Sequence, residues 1–175
     1  DMAMAEESTP RVARSLQRIQ RAGRDMEAVI DAFLILAREA DVEPQSEDFE
    51  IADIVLDEAD NARALLIGKE VDLEVTCNAK PRLHAPPRVM QVVISNLLRN
   101  ACSYTDDGRI DVIVEQDRVI VRDTGIGMSE ESMARAFEPF YRADPTRPHG
   151  TGLGLSIVRR LCDRFGWKIE LESVL

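Results

Sequence analysis

The chain has 175 residues and carries 22 Lys and Arg against 32 Asp and Glu, giving a formal net charge of −10. This length fits one domain, or one domain with a helical appendage. Hydrophobic residues make up 45% of the chain, enough for a packed core, so wholesale disorder is excluded. A globally basic surface is also excluded. Because nucleic acid phosphates are bound by clustered Lys and Arg, we expect no nucleic acid partner.

The acid excess lies in residues 1–80, whereas residues 81–175 hold equal numbers of acids and bases, so the second half is compatible with an anionic ligand. The 3 cysteines form no CxxC pair, which argues against a disulfide framework or a zinc site and favours a reducing environment. No apolar run is long enough to span a bilayer. We expect this chain to be the cytoplasmic portion of a protein and to make no membrane contact. If the parent protein is anchored in the inner membrane, its anchor would lie outside this chain.

Residues 10–40 have the pattern of one long helix. Pro10 suits the first turn, and apolar residues recur at alternating steps of three and four, as in a coiled-coil seam. Such a helix needs a partner, and the sequence offers no obvious second one. The seam residues are Val12, Leu16, Ile19, Gly23, Met26, Ile30, Phe33 and Ala37.

The remaining residues alternate between helical and strand patterns after a linker at 41–50. Three prolines interrupt residues 81–87. Helices are predicted at 51–67, 88–104, 130–137 and 153–165, and strands at 71–76, 110–115, 119–121 and 167–171. Two adjacent strands with helices gathered elsewhere predict an α+β fold, a two-layer α/β sandwich.

The predicted helix at 88–104 carries two asparagines four residues apart, Asn96 and Asn100, which face the same side of the helix. Their neighbours are mostly apolar, and amides beside a buried face need partners. An amide oxygen can complete the coordination of a Mg²⁺ held mainly by phosphates and water. Hydrogen bonds from the helix to a loop are the alternative.

A second element, Asp123-Thr-Gly-Ile-Gly127, directly follows a predicted strand. A carboxylate in this place can accept a hydrogen bond from an exocyclic amine, which favours adenine over guanine. The alternative is an ordinary Asp-Gly turn.

A third element, Gly150-Thr-Gly-Leu-Gly154, opens the last predicted helix. Closely spaced glycines and a helix N-terminus let backbone N–H groups approach phosphate oxygens. The spacing matches neither the P-loop nor the dinucleotide fingerprint, and the alternative is a flexible turn.

Together and in this order, the three elements resemble the N, G1 and G2 boxes of the sensor histidine kinase catalytic domain, an ATPase module of the Bergerat fold. Between the second and third lies Phe137-Glu-Pro-Phe-Tyr-Arg142, which resembles the F box. Residues 10–40 resemble the second helix of the dimerisation and phosphoacceptor hairpin. The resemblance divides the chain into residues 1–43, a partial hairpin, and residues 44–175, the ATP-binding catalytic domain.

The resemblance implies roles for four polar side chains. Asn100 coordinates Mg²⁺ at the ATP phosphates, and Asn96 polarises or positions the same cluster. Tyr104 lies beside the nucleotide, although a tyrosine at a helix end is as often part of the core. Arg142 reaches the γ-phosphate or the phosphoacceptor helix, although a surface arginine fits the sequence equally well.

The resemblance also implies that Asp123 binds the adenine amino group while Gly125 and Gly127 let the chain curve around the base. Residues 128–149 form the ATP lid, which Phe137 and Phe140 anchor by apolar contact. The phosphates contact a backbone loop that comprises Gly150, Thr151, Gly152, Leu153 and Gly154.

Three departures from the family pattern affect this interpretation. Ser103 stands where the family often has Lys, which predicts a modest nucleotide affinity, and His149 stands where a further glycine is common. The two histidines, His84 and His149, lack the phosphoacceptor motif, and His84 has no adjacent acid in the sequence. We therefore expect the phosphoacceptor outside this chain.

The function implied is ATP-dependent and Mg²⁺-dependent phosphorylation of a histidine, followed by transfer to an aspartate on a response regulator receiver domain. The parent protein would be a homodimer held by the helical hairpin. This chain is predicted to bind Mg-ATP without autophosphorylation. The alternatives are another Bergerat ATPase or serine kinase, or a degenerate module that binds nucleotide or protein without catalysis.

Overall fold

The computed structural model describes residue 23, residues 45–144 and residues 151–174. The predicted helix over 10–40 and the domain boundary at residues 43 and 44 lie outside these ranges, except that Gly23 is helical. The strands are β1 (Glu47–Glu50), β2 (Glu70–Cys77), β3 (Arg82–Ala85), β4 (Asp107–Val114) and β5 (Val119–Asp123). The helices are α1 (Ile51–Arg63), α2 (Pro87–Tyr104), α3 (Glu130–Arg135) and α4 (Gly154–Phe165).

The strands form one sheet of three strands and one of two. In the larger sheet β4 is central, parallel to β2 and antiparallel to β5, and in the smaller sheet β1 and β3 are antiparallel. Along β4 the alternate residues Ile110, Val112 and Val114 are fully buried. This alternation gives the sheet one face for the core.

Helices α1 and α2 pack on that face, which confirms the α+β two-layer arrangement. Their contribution to the core includes Val55 and Ala59 from α1 and Ile94 and Leu98 from α2, all almost completely buried. Burial of one such large apolar side chain stabilises the fold by about 1.5–3 kcal/mol. The two helices thereby fix the position of the larger sheet, including its edge strand β5.

Helix α2 is apolar on two sides, so it also packs against α4. Val89 and Val93 form a second buried cluster with Val158 and Leu161 of α4. The helix begins with Pro87 in its first turn, a position where proline costs no hydrogen bond. This packing brings Asn96 of α2 close to the start of α4.

The small sheet differs from the sequence-based prediction, which assigned 41–50 to a linker and 81–87 to a broken segment. Glu47 pairs with Ala85 and Glu50 pairs with Arg82 across β1 and β3. Each strand is short and polar, and its partner lies more than thirty residues away. No local sequence pattern predicts the pairing of two such strands.

One helix end and one strand were also predicted wrongly. Helix α1 ends at Arg63 instead of residue 67, since a turn with Gly68 at φ 85° follows it. Residues 167–171 form no strand in the described structure. Gly166 ends α4 in the left-handed conformation, and the Trp167 ring then stacks on Phe165 with 5.4 Å between ring centroids. This segment is held by side-chain packing instead of a ladder of hydrogen bonds. Within the described ranges, no helix is both long and apolar enough to cross a membrane.

Candidate functional site

The carboxylate of Asp123 lies where β5 ends, beside the C-terminal end of α2. Its Oδ1 accepts a hydrogen bond from the backbone nitrogen of Gly125 at 2.9 Å and lies 3.5 Å from Oγ1 of Thr105. Both contacts use the same oxygen, so the described residues leave Oδ2 open to a ligand. The Asp-Gly turn is therefore present. It orients the carboxylate of Asp123 and still leaves one oxygen available to a ligand.

Gly125 lies against the backbone at the end of α2. A Cβ atom at this position would be 2.5 Å from the carbonyl oxygen of Tyr104 and 2.7 Å from Oδ1 of Asp123. The next residue, Ile126, donates its N–H to the same Tyr104 carbonyl at 3.2 Å. Gly127 then takes φ 67°, which favours glycine. Tyr104, Asp123, Gly125 and Gly127 thus form one connected corner.

Asn96 is buried between α2 and α4. Its Nδ2 donates to the carbonyl oxygen of Val92 at 2.7 Å, and a Cβ on Gly154 would lie 3.1 Å from its Oδ1. The amide is therefore held by its own helix, and its oxygen faces the start of α4. Asn100 is one turn later and half-buried, and its side chain makes no hydrogen bond to another described residue.

The glycine loop before α4 contacts the segment that follows Phe137. Gly152 takes φ 71°, and a Cβ there would lie 2.6 Å from the carbonyl carbon of Phe140. Phe140 donates its N–H to the Gly152 carbonyl at 2.9 Å. Within the loop, the Leu153 nitrogen donates to Oγ1 of Thr151 at 3.3 Å. Gly150 lies outside the described residues, and its predicted phosphate contact stays a prediction.

The segment predicted as the ATP lid begins with an ordered turn of helix. The Ser129 side chain caps α3 by accepting from the Ser132 nitrogen at 3.2 Å, and the Tyr141 hydroxyl lies 3.1 Å from the Ser132 hydroxyl oxygen. The Arg135 guanidinium lies 4.4 Å from the centre of the Tyr141 ring. Residues 145–149 of the predicted lid lie outside the described ranges.

The two phenylalanines of the F box differ in their surroundings. Phe137 is half-buried, with the Arg159 guanidinium of α4 5.5 Å from its ring centre. Phe140 is 74% exposed and has φ 65°. The prediction that Phe140 anchors the lid by apolar contact is wrong, because its backbone is fixed against Gly152 in a conformation that leaves the ring in solvent.

Arg142 remains near its own segment in the described structure. Its Nη2 lies 3.5 Å from the carbonyl oxygen of Asp144. The predicted contact of Arg142 with a phosphate or with the phosphoacceptor helix stays a prediction.

Lys69 and Thr105 are at the same corner as Asp123, and the sequence reasoning missed both. Thr105 follows α2 and is completely buried, and Lys69 Nζ donates to its carbonyl oxygen at 2.7 Å. The adjacent Cys102 is also buried, and burial raises the pKa of its thiol to about 11. The sequence signal for the role of Lys69 was its place directly after Gly68. A left-handed turn at a glycine can direct the next side chain towards a neighbouring helix.

His84 has an acid partner that the sequence does not show. The antiparallel pairing of β1 and β3 places Asp48 opposite His84, and Nδ1 of the ring lies 2.8 Å from Oδ1 of the aspartate. Both side chains are exposed. This contact lies on the surface of the small sheet, outside the corner formed by Asp123.

Comparison with known proteins identifies the family. Residues 85–175 match the family described as Histidine kinase-, DNA gyrase B-, and HSP90-like ATPase. The chain belongs to this family. The part matched begins at the end of β3 and includes Asn96, Asn100, Asp123 and the α4 glycines. The relatives place it among the catalytic domains of sensor histidine kinases.

Among curated relatives, this chain is similar to the signal transduction histidine-protein kinase BarA of Escherichia coli K12. The two are 36% identical over 118 residues, which cover 61% of this chain and 13% of BarA. The phosphate regulon sensor protein PhoR of Pseudomonas aeruginosa is 32% identical over 183 residues, covering 97% of this chain and 40% of PhoR. The chain thus spans less than half the length of these relatives.

Solved structures confirm the fold. Full-length ShkA in complex with AMPPNP superposes with a TM-score of 0.68 at 24% identity, covering 88% of this chain and 34% of ShkA. The cytoplasmic segment of the histidine kinase QseC gives a TM-score of 0.59 at 23% identity, covering 82% of this chain and 77% of that segment. These neighbours have the Bergerat ATPase fold, as expected for an ATP-binding domain of this family.

Proposed function

We propose that this chain is the ATP-binding catalytic part of a sensor histidine kinase, which delivers the γ-phosphoryl group of ATP to a histidine on a hairpin helix outside the chain. Residues 44–175 are assigned to the catalytic domain and residues 1–43 to part of the hairpin. In the whole protein the hairpin makes a homodimer, and the phosphohistidine passes its phosphoryl group to an aspartate of a response regulator receiver domain.

The observation that carries this proposal is the corner formed by Asp123, Gly125 and Tyr104. One carboxylate oxygen is held by the Gly125 nitrogen, and the other is left to accept from an exocyclic amine. Gly125 and Gly127 keep side chains away from the place where a flat base would lie. Adenine offers the amine donor that this carboxylate requires, whereas guanine presents a carbonyl oxygen at the equivalent position.

The phosphate end of the nucleotide is assigned to the start of α4 and the facing side of α2. Gly152 and Gly154 leave backbone N–H groups uncovered at a helix N-terminus, where the helix dipole favours negative charge. Asn96 faces Gly154 through its amide oxygen. The Leu153 nitrogen donates to the Thr151 hydroxyl oxygen, and this hydrogen bond braces the loop.

Mg²⁺ fits this donor set as a partner of the phosphates. Within the described residues no three His, Cys, Asp or Glu side chains are clustered to hold a metal by themselves. The side-chain oxygen of Asn100 accepts no hydrogen bond from a described residue and suits a hard cation whose other ligands are phosphate oxygens and water. When bound, Mg²⁺ would neutralise charge on the phosphates.

The chemistry asks this chain for positioning more than for covalent participation. Phosphoryl transfer proceeds through a loose transition state in which orientation and charge neutralisation dominate. Asp123 holds the base, the α4 glycines hold the phosphates, and the predicted lid, residues 128–149, excludes water when it closes over them. Arg142 lies within this segment and would add positive charge to the γ-phosphate or meet the phosphoacceptor helix.

Titration of ATP tests this assignment. We expect the wild-type chain to bind ATP more tightly with Mg²⁺ than with EDTA, and Asp123→Asn to weaken binding by at least tenfold because one acceptor oxygen becomes a donor. Asp117→Asn, in the exposed turn between β4 and β5, is the matched control and should bind normally. A wild-type chain that binds no nucleotide would favour an interaction module without catalysis.

Incubation with γ-labelled ATP tests where the phosphoryl group goes. We expect no stable acid-labile label on this chain, since neither His84 nor His149 has a phosphoacceptor motif. His84→Ala is included because Asp48 contacts its ring. Label that disappears in this variant would contradict the assignment of the phosphoacceptor to another segment.

A further inference from the structure

The ammonium group of Lys69 lies at the C-terminal end of α2. Its Nζ donates to the carbonyl oxygens of Cys102 and Thr105, both at 2.7 Å, and lies 3.1 Å from Oδ1 of Asp106. The last carbonyl groups of a helix lack partners within the helix, and the dipole makes this end negative. Lys69 therefore satisfies two backbone acceptors and places a positive charge where the helix favours one.

The position of Lys69 is set by the turn after α1. Gly68 has φ 85°, and a Cβ there would meet nothing within 4 Å, so the conformation alone favours glycine. The Lys69 nitrogen donates to the Leu66 carbonyl at 2.9 Å, which closes the turn. The Lys69 side chain is only 26% exposed and crosses to α2. The contact joins segments more than thirty residues apart.

The end of α2 that Lys69 holds is also the end that contacts the Asp123 segment. Thr105, whose carbonyl accepts from Lys69, brings its buried hydroxyl to Oδ1 of Asp123. Tyr104, one residue earlier, accepts from the nitrogen of Ile126. Movement of this helix end would shift both contacts, and with them the direction of the Asp123 carboxylate.

We propose that Lys69 is a positioning residue for base recognition, which holds Thr105 and the end of α2 so that Asp123 keeps the orientation that accepts from adenine. This inference rests on the proposed role of Asp123. Lys69 acts through the protein and does not touch the nucleotide. Lys69 therefore affects the affinity for adenine nucleotides, irrespective of the number of phosphates.

Competition binding with ATP, ADP and GTP on three purified variants tests the proposal. Lys69→Met removes the ammonium and keeps most of the aliphatic chain, and Lys69→Arg keeps the charge. Lys168→Met removes an exposed lysine paired with Glu170 and is the matched control. We expect Lys69→Met to weaken ATP and ADP equally, by about tenfold, and to reduce the preference for ATP over GTP. Lys69→Arg should stay within about threefold of wild type, and Lys168→Met should be unchanged.

A merely structural role of Lys69 gives a different result. It would lower the thermal midpoint while the ratio of ATP to GTP affinity in the folded protein stayed that of wild type, and this outcome overturns the proposal. Thr105→Val replaces the hydroxyl with a methyl of similar size. The effects of Lys69→Met and Thr105→Val on ATP affinity should be less than additive in the double variant, because both act on Asp123. Additive effects would also overturn the proposal.

Two outcomes separate this inference from the proposed function. If wild type binds ATP and Asp123→Asn does not, while Lys69→Met keeps the ATP preference, only the role of Lys69 fails. If Asp123→Asn binds like wild type, the proposed function itself fails. Should Lys69→Met not fold, Thr105→Val alone decides, and an unchanged preference for ATP over GTP in that variant overturns the link from α2 to Asp123.

Discussion

Gly125 lies so close to Tyr104 that a Cβ atom on the glycine would be 2.5 Å from the tyrosine carbonyl oxygen. The contact joins the turn after β5 to the last turn of α2 through backbone atoms. The same carbonyl accepts from the nitrogen of Ile126. The distance between helix end and strand end is thus set by main-chain geometry, and it fixes the width of the proposed base-binding corner.

Gly125→Ala should widen this corner. The methyl group must displace the end of α2 or the Asp123 carboxylate, so we expect ATP affinity to fall at least tenfold and stability to fall by about 1–3 kcal/mol. Gly166→Ala is the control, since Gly166 has φ 69° and open space around it. It should cost about 1–2 kcal/mol of strain and leave ATP affinity unchanged. Calorimetric titration and urea unfolding measure both quantities, and normal ATP binding by Gly125→Ala would refute the close-contact account.

Asn100→Ala should remove the benefit of Mg²⁺ for ATP binding. The half-buried Asn100 lies one turn after Asn96 on the same side of α2, and losing its amide oxygen leaves binding to the base and the backbone loop intact. We expect the ratio of ATP affinity with Mg²⁺ to that with EDTA to approach one. Asn78→Ala, exposed after β2, should keep the wild-type ratio. A retained Mg²⁺ effect in Asn100→Ala would assign the metal to other residues.

The two phenylalanines of the F box should respond oppositely to substitution. Phe137→Ala removes a half-buried ring beneath Arg159, and we expect a loss of about 1–2 kcal/mol in the free energy of unfolding. Phe140→Asn places a residue that tolerates φ 65° where an exposed ring now stands, so stability should be unchanged or rise by up to about 1 kcal/mol. Equal losses from both substitutions, measured by urea unfolding, would show that Phe140 is packed after all.

The cysteines should differ in their reactivity and give a pH dependence. Cys77 is exposed, whereas Cys102 and Cys162 are buried and burial raises the pKa of both thiols. At pH 8 we expect an aromatic disulfide reagent to modify Cys77 alone in the native state and all three after unfolding. The pKa of Cys102 rises from 9.0 to about 11 in the folded chain, so the unfolded state loses its proton first. Stability should therefore fall as the pH rises from about 9 to 11. Rapid native labelling of Cys102 would contradict its burial.

Much of the fold could be predicted from local sequence patterns. The alternation of apolar and polar residues predicted a strand at 110–115, and the pattern of residues 88–104 predicted a helix. Both are present, as β4 and α2. The pairing of β1 with β3 was missed because the strands are short, polar and far apart in sequence. The segment from Trp167 had a strand pattern, but Trp167 and Ile169 pack on the core, and among the described residues no strand pairs with it.

The sequence by itself determined the order and spacing of the candidate site residues. Asn96, Asn100, Asp123 and the α4 glycines are recognisable because backbone approach to a ligand and helix periodicity restrict residue type at each place. The tertiary structure alone decided which of them meet. Gly154 faces Asn96, Gly125 lies under Tyr104, and Lys69 reaches Thr105 across more than thirty residues, since these contacts depend on how α2 is oriented between the sheet and α4. Local propensity sets where a helix begins and ends, but the direction of its last carbonyl groups is fixed only by what packs around it.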